Sequence, residues 1–451
     1  MVHIKSKTGV LLLSHCGYSF IEELIQNATA QGLKSFVLSS RPLPSDRHRI
    51  RELQEKSTWL GLGEHHELTS QEIKQALNYL AAQGYRVACC LSVWEGYRIL
   101  MAMANQELGV ADMSLAQIEL LLNKYELREQ LRQAGLSQAN AVLLNAQTWA
   151  DLQAKGKAVF VKPVTGIASY GTFRLTPNKR WQDIAQIQAN IAADPTYRSI
   201  FSGNRGFMAE DYIPGQEFSF EIIVTAGSPS VVAIHEKLEL DESGSAVLEN
   251  ACVSPPVHLD NRQLQDARAW IAQLFEHLQL RWGCYHLEAR CHKGHWEVIE
   301  INPRVGGALI SPSVKVLTQG ISMTQLWLNN LLYQQPDQQV QQEARLAALD
   351  VGTDTYQPTL VSSYFRVYFA EPGLIRAIHQ APCCLEPELV QISLQPGTEV
   401  VERAREVFLG QILWAIPQEQ QQELLPKLIT ESRQAIQVEY ELSRSLLQSA
   451  A

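Results

Sequence analysis

The stretch "CYHLEARCHKGHWEVIEINPRVGG", residues 284–307, constrains the fold more than any other part of the chain. Strand side chains alternate between faces. His286, Glu288 and Arg290 therefore share one face, and Tyr285, Leu287 and Ala289 the other. Downstream, Glu300 and Asn302 share a face, with Ile299 and Ile301 opposite. A turn signal, "HKGH", separates the two runs, so together they read as a β-hairpin. Centred on Gly294, with an odd-length loop such as three residues, the hairpin sets Glu288 against Glu300 and His286 against Asn302. A two-residue Lys293-Gly294 turn would instead pair Glu288 with Ile299. Two glutamates facing each other repel. A cation between them removes that penalty. Two carboxylates with an amide oxygen form a hard-oxygen set suited to Mg²⁺ or Mn²⁺ that also holds phosphate oxygens. On spacing alone, a solvated strand face fits equally well.

The chain has 451 residues, room for about two to four domains. Its net charge is −9 and its pI about 5.8, and no basic block stands out. That argues against nucleic acid or an anionic membrane as the primary partner. The N-terminal apolar run, Val10–Leu13, is too short for a secretory core and reads as a first strand. No apolar run approaches a membrane span. The eight cysteines show no CxxC spacing, which suits reduced thiols in a cytoplasmic protein. The vicinal pairs Cys89-Cys90 and Cys383-Cys384 read as structural. Cys291, His292 and His295 cluster on a turn but lack a fourth zinc ligand.

Residues 1–115 alternate apolar strands ("GVLLLSHC", "KSFVLSS", "YRVACCLSV") with amphipathic helices ("SFIEELIQNATAQG", "SQEIKQALNYLAAQG"). This pattern predicts a parallel sheet with helical crossovers. The first strand–helix turn, "SHCGYS", lacks the GxGxxG dinucleotide fingerprint. Trp94 and Tyr97 are expected to pack the strand-to-helix junction. Residues 116–335 mix helices with hairpin-like strands, and the glutamine-rich 333–343 reads as a connector or the start of an exposed helix. Beyond about 355 come short strands, "VSSYFRVYF", "GLIRAIHQ" and "LVQISLQ", and then a helix over 418–440.

Two further blocks carry chemistry. "VFVKPVTGIASYGTF", 159–173, is an apolar strand ending at Lys162, followed by a loop with Gly166, Ser169, Tyr170 and Gly171. Glycines let backbone N–H groups approach phosphates, and a lysine adds charge. It is not a Walker A loop. "FMAEDYIPGQEFSFEIIV", 207–224, reads as strand, turn and strand, with Glu217, Ser219 and Glu221 on one face.

With "LLLNKYELREQLRQAGL" (120–136) ahead of them and the hairpin behind, these blocks resemble the ATP-grasp superfamily of carboxylate–amine ligases. The tail motifs "PGLIRAI" and "LQPGTEVV" resemble the C-terminal domain of L-amino-acid ligases, the dipeptide synthetases. The resemblance implies an α/β and α+β multidomain chain. It would have a Rossmann-like N-terminal domain (1–115), an ATP-grasp domain (116–335, lid subdomain about 150–215) and a small α+β C-terminal domain (336–451).

It also implies roles. Lys124 and Lys162 would contact ATP phosphates, and the loop with Ser169, Tyr170 and Gly171 would close over them. Glu210, Asp211, Tyr212 and Ile213 would form the hinge against adenine, mostly through backbone groups, and Glu217 would accept from the ribose hydroxyls. Glu288, Glu300 and Asn302 would hold Mg²⁺ (or Mn²⁺). Arg304, with Gly306 and Gly307, would face the substrate carboxylate. Apart from the resemblance, His286, on the strand face with Glu288, is expected to act on substrate or support the metal ligands. Lys237 sits where the superfamily is often basic, and Glu249 lies in a segment that shapes amino-acid sites.

The expected activity is ADP-forming ligation of an amino-acid-type carboxylate to an amine, itself an amino acid or a related compound. Neither nucleic acid nor membrane is an expected partner, and a homodimer is left open. Two alternatives stand beside it: a carboxylase or ligase of nucleotide biosynthesis, and an ATP-binding module without chemistry.

Overall fold

A computed structural model of the chain describes residues 7–18, 20–167, 169–197, 200–201, 206–241, 248–401 and 407–441. The N-terminal strands Thr8–Ser14, Lys34–Ser39, Trp59–Leu62 and Arg86–Leu91 form a parallel sheet in which the first strand lies between the second and fourth. Helices such as Ile21–Ala30 and Ser70–Ala82 make the crossovers, the latter opened by a Thr69–Glu72 capping box. Val10 to Leu13 are fully buried, as a strand covered on both faces requires. The sequence pattern did not reveal the helix His48–Lys56 or the edge strand Trp59–Leu62. That helix has only Ile50 and Leu53 as apolar residues and the strand is only four residues long, so each offers a weak signal.

An eight-stranded antiparallel sheet forms the centre. From one edge it runs His295–Asn302, Gly283–His292, Gln216–Thr225, Ser228–Asp241, Leu248–Ser254, Val361–Ala370, Val407–Pro417 and Leu389–Ile392. Phe218, Phe220, Leu287 and Ala289 share a core with Ile118, Leu127 and Phe275 of the helices Leu115–Leu122, Lys124–Gln133 and Asn261–His277. Glu217, Ser219, Glu221, His286 and Arg290 alternate with these residues and are buried as well. Along the same face, Ile223 and Cys284 join the core of the N-terminal sheet, together with Trp327 and Leu331 of the helix Met323–Leu332. One continuous apolar cluster thus ties the N-terminal sheet to the charged face.

A separate four-stranded antiparallel sheet, Ala141–Leu143, Phe207–Asp211, Val159–Pro163 and Phe173–Arg174, carries the glycine loop. Its core includes Trp149 and Ile184 of the helices Ala146–Lys155 and Trp181–Ala193. The glutamine-rich stretch lies in the helix Pro336–Leu349, with its proline at the tolerated first turn. The helix expected over 418–440 is corrected: helix runs from Gln421 to Ser432, and Ile436–Glu441 is a strand beside Gly373–Gln380. Alternating Ile436, Val438 and Tyr440 pack into the C-terminal core, so the period of two prevails. Among the described residues no helix is long and apolar enough to cross a membrane.

The hairpin pairs as expected at its functional end, but by a different route. Glu288 lies opposite Glu300, and His286 opposite Asn302. The turn, however, is the two-residue Lys293-Gly294 with both φ positive (51° and 81°), and His292 faces His295. A register shift between Glu288 and Ala289 leaves Ile299 as an extra residue, a β-bulge. The bulge restores the pairing that the short turn would have lost. It also separates the two isoleucines: Ile301 enters the core, while Ile299 lines the cleft. Gly294 has open space around its Cβ position, so only its left-handed backbone resists substitution. We expect Gly294→Ala to lower stability by about 1–2 kcal/mol, seen as a lower urea midpoint; an unchanged midpoint contradicts this.

Candidate active site

The cleft between the glycine-loop sheet and the central sheet is built from opposed charges. Lys124 is the first residue of its helix, capped by Asn123, and its N–H bonds Val164 O at 2.9 Å. Its Nζ donates to Gly166 O at 3.0 Å and pairs with Glu300 Oε2 at 2.9 Å. Burial works against that charge, but Glu300 and Glu95 outweigh it and raise the Lys124 pKa. Lys162 pairs with Glu210 Oε1 at 2.5 Å, and its Nζ lies 3.5 Å from Ile299 O at the bulge. Here burial wins: with Arg128 and Lys124 nearby, it lowers the Lys162 pKa despite Glu210.

Glu210, expected in a hinge acting mostly through backbone groups, also has a side-chain part. Its buried carboxylate holds Lys162 and, at 3.2 Å, Arg128, which also pairs with Glu297 at 2.7 Å. Asp211 accepts from Asn140 and Lys157, and Tyr212 stacks on Phe160 with ring centroids 5.8 Å apart. Phe160, Asp211 and Ile213 line the cleft.

A second cluster centres on Lys237. Its ammonium contacts Glu217 at 2.6 Å, Glu288 at 3.1 Å and Glu249 more closely still. Burial opposes the charge, but Glu217, Glu249 and Glu288 raise the Lys237 pKa well above its ordinary value. Glu217 also accepts from Arg290 Nε at 2.8 Å, and Arg290 Nη1 donates to Ile213 O at 2.8 Å. Burial, with Glu288 and Glu217 adding to it, pushes Glu249 up to about 7 against the pull of Lys237.

Between the clusters stands His286. Nδ1 is 2.8 Å from Glu221 Oε1 and Nε2 2.9 Å from Glu288 Oε1. A Cβ at Gly306 would come within 2.6 Å of Nδ1, so glycine is required there. Burial lowers the His286 pKa, but Glu221 and Glu288 more than reverse this and raise it to about 10. Burial raises the pKa of Glu221, yet His286 and His235 bring it to about 2. Glu288 is held well below the usual carboxylate range by Lys237 and His286, again against burial. Glu300 is lowered by Lys124 against burial and against Glu288, and it accepts from Asn302 Nδ2 at 2.7 Å. Asn302 adds an amide oxygen to the two facing glutamates, a hard-oxygen donor set whose chemistry fits a divalent cation. Arg304 Nε donates to Glu95 Oε2 at 2.8 Å, and Glu95 and Glu300 raise its pKa against burial.

Of the residues expected from sequence, Lys124, Lys162, Ser169, Tyr170, Glu210, Asp211, Ile213, Glu217, Glu288 and Glu300 line one cleft. Lys237, His286 and Asn302 contact the lining residues Glu288 and Glu300, and Arg304 lies near enough to feel both charges. Gly171 packs on the outer side, where a Cβ would meet Ile187 at 3.0 Å, and Tyr212 backs Phe160. Sequence reasoning did not assign Phe160, Arg290 or Ile299 to the site, although all line it, nor Glu95, which anchors Arg304; Glu249, expected only in a segment that shapes amino-acid sites, also lines the cleft. Alternation with Glu288 was a usable signal for Arg290. Glu95, more than 200 residues away in the chain from Arg304, offered none.

Residues 156–313 match the family model of the ATP-grasp domain, and this stretch of the chain is an ATP-grasp domain. The chain is 24% identical over 256 residues to carnosine synthase 1 of Gallus gallus, a match covering 54% of this chain and 27% of that protein. It is 25% identical over 235 residues to dapdiamide A synthase of Enterobacter agglomerans, covering 48% of this chain and 53% of that one. The chain thus spans about half, or less, of the length of these curated relatives. The crystal structure of an L-amino acid ligase from Bacillus licheniformis superposes with a TM-score of 0.72, over 96% of this chain and 99% of that one, at 18% identity.

The His286 and Glu221 shifts set a pH window. Glu221, depressed to about 2, contributes stability that is full above its unfolded value near 4.5 and is lost as pH falls through 2. His286, raised to about 10, contributes stability that is full below its unfolded value near 6.5 and is lost as pH rises through 10. In metal-free buffer His286→Gln should therefore be less stable than the parent at pH 6, with the gap narrowing toward pH 10. Urea midpoints of both forms across that range check this; a gap independent of pH contradicts it.

Proposed function

We propose that the protein is an ATP-dependent, ADP-forming ligase that phosphorylates an amino-acid-type carboxylate and passes the acyl group to an amine, giving an amide or dipeptide. We assign it three units: a Rossmann-like domain at 1–115, the ATP-grasp domain at 116–335 and a C-terminal domain at 336–451. The observation that carries the reading is the convergence of Lys124 and Arg304 on Glu300 and Glu95, with Lys162 at the neighbouring wall.

A carboxylate is a poor electrophile, because oxide is a poor leaving group. Transfer of the γ-phosphoryl group converts that oxygen into phosphate, and such transfer depends on positioning and charge neutralisation. In this reading Lys124 and Lys162 hold phosphate oxygens, Ile213 and Asp211 flank the base, and Glu217 accepts from the ribose. Arg304, braced by Glu95, holds the carboxylate oxygen that attacks phosphorus. Glu288, Glu300 and Asn302 would hold Mg²⁺, which would neutralise charge on the phosphates. The amine then attacks the acyl phosphate. Lys124 and Arg304 favour the resulting oxyanion, and phosphate leaves as the C–N bond closes. The similarity to carnosine synthase and dapdiamide A synthase supports an amino-acid-type pair of substrates.

The test is an ADP-release screen over pairs of amino acids, with product masses. We expect release that needs both partners and a product heavier than either. Carboxylate-independent hydrolysis throughout contradicts the proposal. Glu300→Gln should lose at least about 100-fold in turnover, on the scale of a lost electrostatic contact in a transition state. Near-normal activity of that variant across magnesium concentrations contradicts the metal assignment.

A further inference from the structure

The loop tips of the N-terminal sheet reach the sheet that carries the glycine loop. His15, 2% exposed at the end of the first strand, stacks face to face on Trp94, with ring centroids 4.4 Å apart and planes 4° apart. Its Nε2 lies 2.8 Å from Thr196 O and its Nδ1 3.1 Å from the Tyr97 hydroxyl. A carbonyl only accepts, so Nε2 carries the proton. Nδ1 then accepts from Tyr97, whose oxygen in turn accepts from Leu68 N–H at 3.2 Å. One tautomer satisfies every partner. Burial lowers the His15 pKa to about 4, so the ring is neutral near pH 7.

On the other side, Trp94 meets Tyr197 at 5.8 Å, and Tyr197 meets Tyr170 edge-on at 6.3 Å. Tyr170, 4% exposed, belongs to the glycine loop and also contacts Phe201 at 5.6 Å. Trp94, Ile200 and Phe201 belong to one small apolar cluster with Tyr170. The next residue in the chain, Glu95, braces Arg304.

We propose that His15 and Trp94 are positioning residues that clamp the segment around Thr196 and Tyr197 and, through Tyr170, hold the glycine loop shut over the cleft. This rests on the reading above only in taking the loop as the cover of a nucleotide. The clamp gives the N-terminal sheet a part at both ends of the site, with Trp94 against the lid and Glu95 on Arg304. The arrangement fits a small interface of rings. Aromatic contacts of this kind are individually weak, so together they bias a lid without locking it.

The experiment is limited proteolysis by chymotrypsin, followed at the bond after Tyr170, with MgADP binding measured alongside. Tyr197→Ala changes a partly exposed lid residue and leaves the N-terminal core intact. It and Trp94→Leu should speed cleavage without nucleotide at least five-fold and weaken MgADP binding. Trp94→Phe, which keeps a ring against His15, should stay near the parent rate. Unchanged cleavage in both disruptive variants overturns the clamp, as does an equal rise at sites in the distant C-terminal sheet, which would be general loosening. Faster cleavage without any MgADP binding, parent included, supports the clamp and contradicts the nucleotide reading.

Discussion

Facing carboxylates in the half-buried wall of a cleft are the constraint on which this structure depends. Glu288 and Glu300 lie opposite each other, and Glu217 and Glu249 converge on the same wall. Like charges this close and partly withdrawn from water are costly unless paired, so the hairpin needs cations beside it. Lys124 comes from a helix start, Lys237 from a neighbouring strand, and His286 from the hairpin itself. Lys237 and His286 are buried and Lys124 half-buried, so these cations need the glutamates in turn. Charge neutrality therefore ties distant segments into one wall. Lys162, from the small sheet across the cleft, meets Glu210 in the same way, and Arg304 meets Glu95.

The surrounding packing explains why that wall is rigid. Phe218, Phe220 and Leu287 anchor the back of the sheet against three helices. On the charged face, Ile223 and Cys284 merge into the core of the N-terminal sheet. Glu95 can brace Arg304 only because this merger fixes the loop that carries it. The cleft's opposite wall belongs to a separate small sheet with its own core, joined to the charge network where Lys124 donates to Gly166 O and where Glu210 meets Arg128.

Much of this was legible in the sequence, and the failures have physical causes. The alternation of Glu217, Ser219 and Glu221, the face shared by His286 and Glu288, and the pairing of Glu288 with Glu300 all follow from a period of two. The turn was misread because that pairing and an unbroken alternation together demand an odd loop; a bulge at Ile299 meets the demand differently, and no local signal marks it. The strand Ile436–Glu441 was absorbed into a helix because glutamines and glutamates run through both. Glu95 and the His15–Trp94 stack depend on contacts between remote segments, where sequence spacing carries no information. The role of Glu210 as a buried anchor for two cations was hidden in the same way.

The central claim is that the cleft directs a carboxylate oxygen onto the γ-phosphorus of ATP. The direct measurement supplies a turned-over amino-acid pair with ¹⁸O in the carboxylate that becomes the amide, and follows the label by mass spectrometry. The account predicts ADP and inorganic phosphate carrying one ¹⁸O per turnover. Label in AMP, or unlabelled phosphate alongside amide formation, would contradict it.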